Sequence, residues 1–133
     1  QKEVADRMCA KEGSSDYSSF SILCRWAYNV KPLFELSGGN FWPRPNVASK
    51  SVLMEKNPDF PNCINPAHFV KMQRALFASR RKTVYNNLLR FTSDADKALA
   101  ELKKSGIDPM DRAERLSIKK LLELSDNLNT AIL

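Results

Sequence analysis

Two short stretches concentrate the residue types that could act on a ligand. Phe41-Trp42-Pro43-Arg44-Pro45-Asn46-Val47-Ala48-Ser49 follows a Gly38-Gly39 pair and sets two large aromatics beside alternating prolines. Proline holds φ at about −65° and drives the residue before it toward extended backbone, so this stretch is a stiff surface loop. A ring on such a loop loses little entropy when a planar base stacks on it, an interaction worth about 1–3 kcal/mol. The same rings could instead plug an interface within the protein, and residue types alone leave both open. The second stretch is Phe77-Ala78-Ser79-Arg80-Arg81-Lys82-Thr83. With Lys71, Arg74 and Arg90 it makes a window, 69–91, that holds six cations and no acid, the whole net charge of +6. Cations so concentrated could be a solvated helix face, or they could track a polyanion's phosphates in a salt-sensitive, sequence-independent way.

Other chemistries find little support. Cys9, Cys24 and Cys63 are widely spaced and odd in number, and with the lone His68 they form no metal pattern, as expected of thiols in a reducing compartment. Gly13, Gly38, Gly39 and Gly106 make no cofactor fingerprint. Asn57-Pro58-Asp59-Phe60 has its proline one place too early to be the amine-accepting motif of adenine-methylating enzymes. No run approaches the ~18 apolar residues of a membrane span. At 43% hydrophobic and 27% charged residues, the composition is that of an ordinary soluble protein.

The elements that must position these residues fall into two parts. Residues 1–11 predict a helix, with turn and capping chemistry at Ser14-Ser15-Asp16. A second helix runs from Phe20 to Tyr28, with Phe20, Leu23, Cys24 and Ala27 at helical spacing. Val30–Leu36 and Ala48–Glu55 read as two strands flanking the aromatic loop, an edge hairpin that cannot stand alone as a sheet. Residues 57–64 are a proline-rich linker, and 65–133 read as a small helical domain of three to five helices. There Asn65-Pro66 caps one helix, Ser93 with Asp96 caps another that ends at Gly106, Asp108-Pro109 opens a short one, and Ser117 caps the last. In a continuous basic helix Arg80 would fall on the apolar face of Phe69, Met72, Leu76, Phe77, Val84 and Leu88. Burying an unpaired guanidinium is costly, so a break near Ala78-Ser79 is expected, the alternative being a buried acidic partner. The absence of an initiator Met and the immediate helical pattern suggest the interior of a longer protein.

In order along the chain, Gln1-Lys2-Glu3-Val4-Ala5-Asp6-Arg7 with Tyr17 and Ser21, then the F-x-P-x-P-x-V-x-S loop of Phe41–Ser49, then F-x-x-R-R-K-T at Phe77–Thr83, resemble ribosomal RNA adenine dimethyltransferases. Ile107-Asp108, Arg112-Ala113-Glu114 and Leu116-Ser117 look like that family's closing helices. The resemblance implies an α+β fragment. Residues 1–56 would be the final helices and strand hairpin of a Rossmann-like methyltransferase domain, and 65–133 an all-helical RNA-binding domain. It also implies S-adenosylmethionine-dependent N6,N6-dimethylation of two adjacent adenines near the 3′ end of small-subunit ribosomal RNA. The glycine-rich cofactor loop and the catalytic Asn-Leu-Pro-Tyr of the family do not occur in the 133 residues, so the chain alone is expected to be inactive. Phe41 matches the aromatic that stacks on the target adenine. Arg80, Arg81 and Lys82 match the RNA-docking cluster, with Lys71 and Arg74 beside it and Arg44 as a further phosphate contact. The implied partner is small-subunit ribosomal RNA or its precursor particle. The protein is expected to be monomeric, without metal or membrane, and cytoplasmic or organellar. The alternative is a non-enzymatic basic nucleic-acid-binding module, such as a relative of the mitochondrial transcription factors built on the same fold.

Overall fold

Local side-chain chemistry sets where most of the helices begin and end. The computed structural model describes residues 1–130, in the order α1 (Lys2–Cys9), α2 (Ser19–Ala27), β1 (Tyr28–Leu36), β2 (Ser49–Lys56), α3 (Pro66–Leu76), α4 (Val84–Thr92), α5 (Ala95–Lys104) and α6 (Ile118–Thr130). Short 3₁₀ turns occur at Gly38–Asn40 and Ala113–Arg115. The chain forms two units: residues 1–11 with 16–60, and residues 12–15 with those from 61 on.

In the first unit, α1 carries two i,i+4 ion pairs, Glu3–Arg7 at 2.9 Å and Lys2–Asp6 at 3.3 Å, which support a short helix. The N-cap of α2 is Ser18, later than Ser14–Asp16, and its amide donates to the Ser21 hydroxyl at 3.1 Å. The inward face of α2 also differs from the expected one. Ser21, Ile22 and Trp26 are buried, whereas Phe20 is exposed. Periodicity locates a helix but cannot rank two apolar stripes when both are partly filled. Trp26 then packs edge-on to Phe60 at 4.7 Å, and the Asn57 side chain donates to the Trp26 carbonyl at 3.0 Å, so the start of the linker is seated on this unit.

β1 and β2 pair antiparallel from Tyr28↔Lys56 to Leu36↔Ser49, with a bulge between Pro32 and Phe34. The bulge falls beside the one residue of β1 with no amide to give the ladder, the usual way a strand accommodates proline. β1 is largely exposed, including Leu33 and Phe34, whereas β2 is half-buried over Ser49–Val52 and exposed from Leu53 and Met54 on.

The second unit packs α3 on α4, α4 on α5, and α6 on both α3 and α5. Its core is Phe69, Met72, Leu76, Val84, Leu88, Ala98, Leu102, Leu121, Leu124 and Leu128, all essentially buried; truncating such a leucine to alanine costs about 2–5 kcal/mol. Asn65 caps α3 by accepting from the His68 amide at 3.1 Å, with Pro66 in the first helical position. Gly106 has φ +70° and ends α5, with Ile107 N–H donating to the Leu102 carbonyl at 2.9 Å; this left-handed turn is the reason for glycine there. The cap of α5 is Asp94, accepting from the Lys97 amide at 3.1 Å. Ser93 is instead the left-handed C-cap of α4, with φ 57°. Asp108-Pro109 opens no α-helix. The Asp108 carboxylate accepts from the Met110 amide at 2.9 Å, and this local turn competes successfully with helix formation.

His68 bonds through Nδ1 to the Ser125 hydroxyl at 2.8 Å. Burial, and then the Lys97 and Lys71 charges, hold its pKa below the ordinary value against the pull of Asp126. A lowered folded-state pKa favours neutral imidazole. Its contribution is therefore complete above the unfolded value, about 6.5, and is lost as pH falls through the lower folded value. The expected result is that melting temperature, followed by calorimetry, drops below about pH 6.5 more steeply in the parent than in a His68→Gln variant.

Candidate nucleic-acid interface

The aromatic loop of the first unit is internally organised. Asn40 Nδ2 donates to the Ser37 carbonyl at 3.3 Å and to its hydroxyl at 3.2 Å, and the Phe41 amide donates to the Gly38 carbonyl at 3.2 Å. A Cβ at Gly38 would lie 2.9 Å from the Pro45 carbonyl oxygen, so the loop folds back onto a glycine that must lack a side chain. Arg44 runs alongside the Gly38-Gly39 pair. At the far end, the Lys2 amide donates to the Ala48 carbonyl at 3.0 Å. Phe41 is 42% exposed and Trp42 94%, so Trp42 plugs nothing among the described residues. A cavity of ≈ 380 Å³ lies between the exit of the loop and the start of α1, lined by Gln1, Lys2, Glu3, Asp6, Val47 and Ala48.

The cationic window of the second unit is two helices and a turn. The helix breaks after Leu76 and resumes at Val84, which removes Arg80 from the apolar face. Lys71 and Arg74 stand one turn apart on the exposed side of α3, opposite Phe69 and Met72. The turn that presents Arg80, Arg81 and Lys82 is held from beneath. Buried Asn87 donates to the carbonyls of Leu76 at 2.9 Å and Ser79 at 3.0 Å. Arg112 donates to the Arg80 carbonyl at 2.8 Å, and Thr83 caps α4 by accepting from Asn86 N–H at 3.2 Å. The three cations then diverge. Arg80 Nη2 donates to the Ser15 carbonyl at 3.0 Å and pairs with Glu114 at 3.5 Å. Arg81 and Lys82 are exposed, and among the described residues neither they nor Lys71 and Arg74 form an ion pair.

Residues 1–130 match the family model for ribosomal RNA adenine dimethylase. The chain belongs to this family. It is 41% identical to ribosomal RNA small subunit methyltransferase A of Treponema pallidum (strain Nichols) over 137 residues, covering 99% of the chain and 48% of the relative. The corresponding protein of Lactobacillus helveticus is 38% identical, covering 96% of the chain and 44% of the relative. The chain thus spans about half the length of the curated relatives it matches. In fold it is similar to a dimethyladenosine transferase from Plasmodium falciparum, with a TM-score of 0.76 at 22% identity over 93% of the chain and 53% of that structure. It is also similar to the 23S rRNA methyltransferase ErmE, with a TM-score of 0.63 at 16% identity over 97% of the chain and 52% of that structure.

Within this member of the family, the candidate residues divide between the units. Phe41 and Arg44 belong to the first, and Lys71, Arg74, Arg80, Arg81 and Lys82 to the second. Arg80 is tied into its own unit, whereas Arg81 and Lys82 point their charge to solvent. What the sequence does not disclose is what holds the presenting segments: the bonds of Asn87, the Arg112 bond to the Arg80 carbonyl, and the Asp6–Lys50 pair at 2.7 Å. Asn87 sits at a buried helical position where an apolar residue is the norm, and that mismatch is the one signal the sequence offered for it.

Proposed function

We propose that this chain is the carboxy-terminal half of an S-adenosylmethionine-dependent adenine N6,N6-dimethyltransferase that acts on two adjacent adenines near the 3′ end of small-subunit ribosomal RNA. Residues 1–56 close its catalytic domain, 57–64 are the linker, and 65–133 form its RNA-docking helical domain. What supports the reading is the F-x-P-x-P-x-V-x-S loop, whose Phe41 ring is half-exposed on backbone held at both ends. An adenine turned out of its stack costs a few kcal/mol, and an aromatic face waiting in place offsets much of it. Arg81, Lys82, Lys71 and Arg74 supply sequence-independent phosphate contacts, with Arg44 as one further contact beside the loop.

The residues present do not fit the methyl donor. Gly13 and Gly106 serve left-handed turns, and Gly38 and Gly39 belong to the aromatic loop, so no glycine-rich cradle follows a strand among the described residues. The test is methyl transfer by the full-length protein to small-subunit ribosomal RNA, read by mass spectrometry as N6,N6-dimethyladenosine. The 133-residue chain alone should give no calorimetric signal with S-adenosylmethionine. RNA binding by the full-length protein without methyl transfer would favour a non-enzymatic nucleic-acid-binding role.

A further inference from the structure

We propose that Asp6 is a positioning residue for the aromatic loop, its carboxylate holding the β2 leg directly through Lys50 and the β1 leg through Lys2, and thereby setting the place of Phe41. The inference rests on the reading of Phe41 as the stacking aromatic. Asp6 Oδ1 accepts from Lys50 Nζ at 2.7 Å and Oδ2 accepts from Lys2 Nζ at 3.3 Å. Lys2 Nζ in turn lies 3.9 Å from Glu35 Oε1. Glu35 and Lys50 face each other across the hairpin, one step before its last pair. Charges of alternating sign therefore run Lys50–Asp6–Lys2–Glu35, from the first residues of β2, through α1, to the last residues of β1. The loop bearing Phe41 spans the space between those two legs.

Isolated surface pairs contribute little, but three features set this one apart. The Lys50 side chain is only 17% exposed. One carboxylate serves two ammonium groups, so its removal leaves Lys2 and Lys50 facing each other without the shared counter-charge. The ≈ 380 Å³ cavity beside Asp6 means that apolar packing does not hold the loop exit against α1. Polar ties do that instead: these ion pairs and the Lys2 N–H to Ala48 carbonyl bond. The Lys50 hydrogen bond also keeps the Asp6 carboxyl below the usual carboxylate range, so the anchor is ionised throughout neutral pH.

The test uses the full-length protein labelled with 5-fluorotryptophan. Trp42, 94% exposed on the loop, reports on the anchor, and buried Trp26 in the same unit is the internal control. The Trp42 resonance is assigned by Trp42→Phe. Asp6→Asn should shift and narrow the Trp42 line while leaving that of Trp26 in place. It should lower turnover on the order of tenfold with KM for ribosomal RNA unchanged, as misplacement of a reacting group does. Asp6→Glu should restore most of both signals, and Asp6→Asn with Lys50→Gln should cost no more than Asp6→Asn alone. A Trp42 line unmoved by Asp6→Asn, both lines moving together, or KM rising as turnover falls would each overturn the assignment. A Trp42 response in a parent protein that transfers no methyl group would support the anchor and defeat the proposed activity instead.

Discussion

Replacing Phe41 with alanine in the full-length protein should lower dimethyladenosine formation by up to about a hundredfold, the equivalent of the roughly 1–3 kcal/mol that one stacked base contributes. The affinity for ribosomal RNA should change by no more than about threefold, because phosphate contacts dominate binding. Phe41→Trp should keep most of the activity, since any flat aromatic face can stack. The measurement is single-turnover methyl transfer alongside equilibrium RNA binding. Equal losses in both would show that the loop merely holds RNA or the fold. Trp42→Ala is the companion variant, because the neighbouring ring is almost fully exposed and packs on nothing among the described residues.

The second large effect concerns Arg81 and Lys82. Their joint replacement with alanine should weaken ribosomal RNA binding about tenfold at moderate salt. It should also reduce the slope of log affinity against log salt by roughly 1.5, since each phosphate no longer neutralised removes about 0.7–0.9. Lys119→Ala, an exposed cation outside the 69–91 window, should leave the slope unchanged. Arg80→Ala should behave differently from its neighbours. Its guanidinium is bonded to Ser15 and paired with Glu114, so its loss should lower the melting temperature as well as any RNA affinity. A salt slope unchanged in Arg81→Ala/Lys82→Ala would remove the docking role from this turn.

Much of the fold was legible because its signals are contiguous. Asn65-Pro66 announces the start of α3 through one side chain and one missing amide. Gly106 announces the end of α5 because a left-handed residue is needed there. The break near Ala78-Ser79 followed from electrostatics, since a continuous helix would have buried a guanidinium, and the chain does turn between Leu76 and Val84. The misplacements were likewise local. Ser93 and Asp94 are both competent caps, and Ser93 ends one helix while Asp94 begins the next. In α2, Phe20 outranks Ile22 in size, yet Ile22 is the residue buried.

The sequence by itself determined the residue types of the candidate site, the hairpin that frames the aromatic loop, and the helices that carry the cations. These depend on periodicity, caps and charge within a few residues of one another. Only the tertiary structure decided which cations are committed and what holds the presenting segments. Arg80 meets the Ser15 carbonyl 65 residues away, and Lys50 meets Asp6 across 44. Asn87 closes the basic turn by bonds to carbonyls 8 and 11 residues back, one of them at the end of the preceding helix. A side chain's partner over such separations is set by how the elements pack, and no local pattern encodes it.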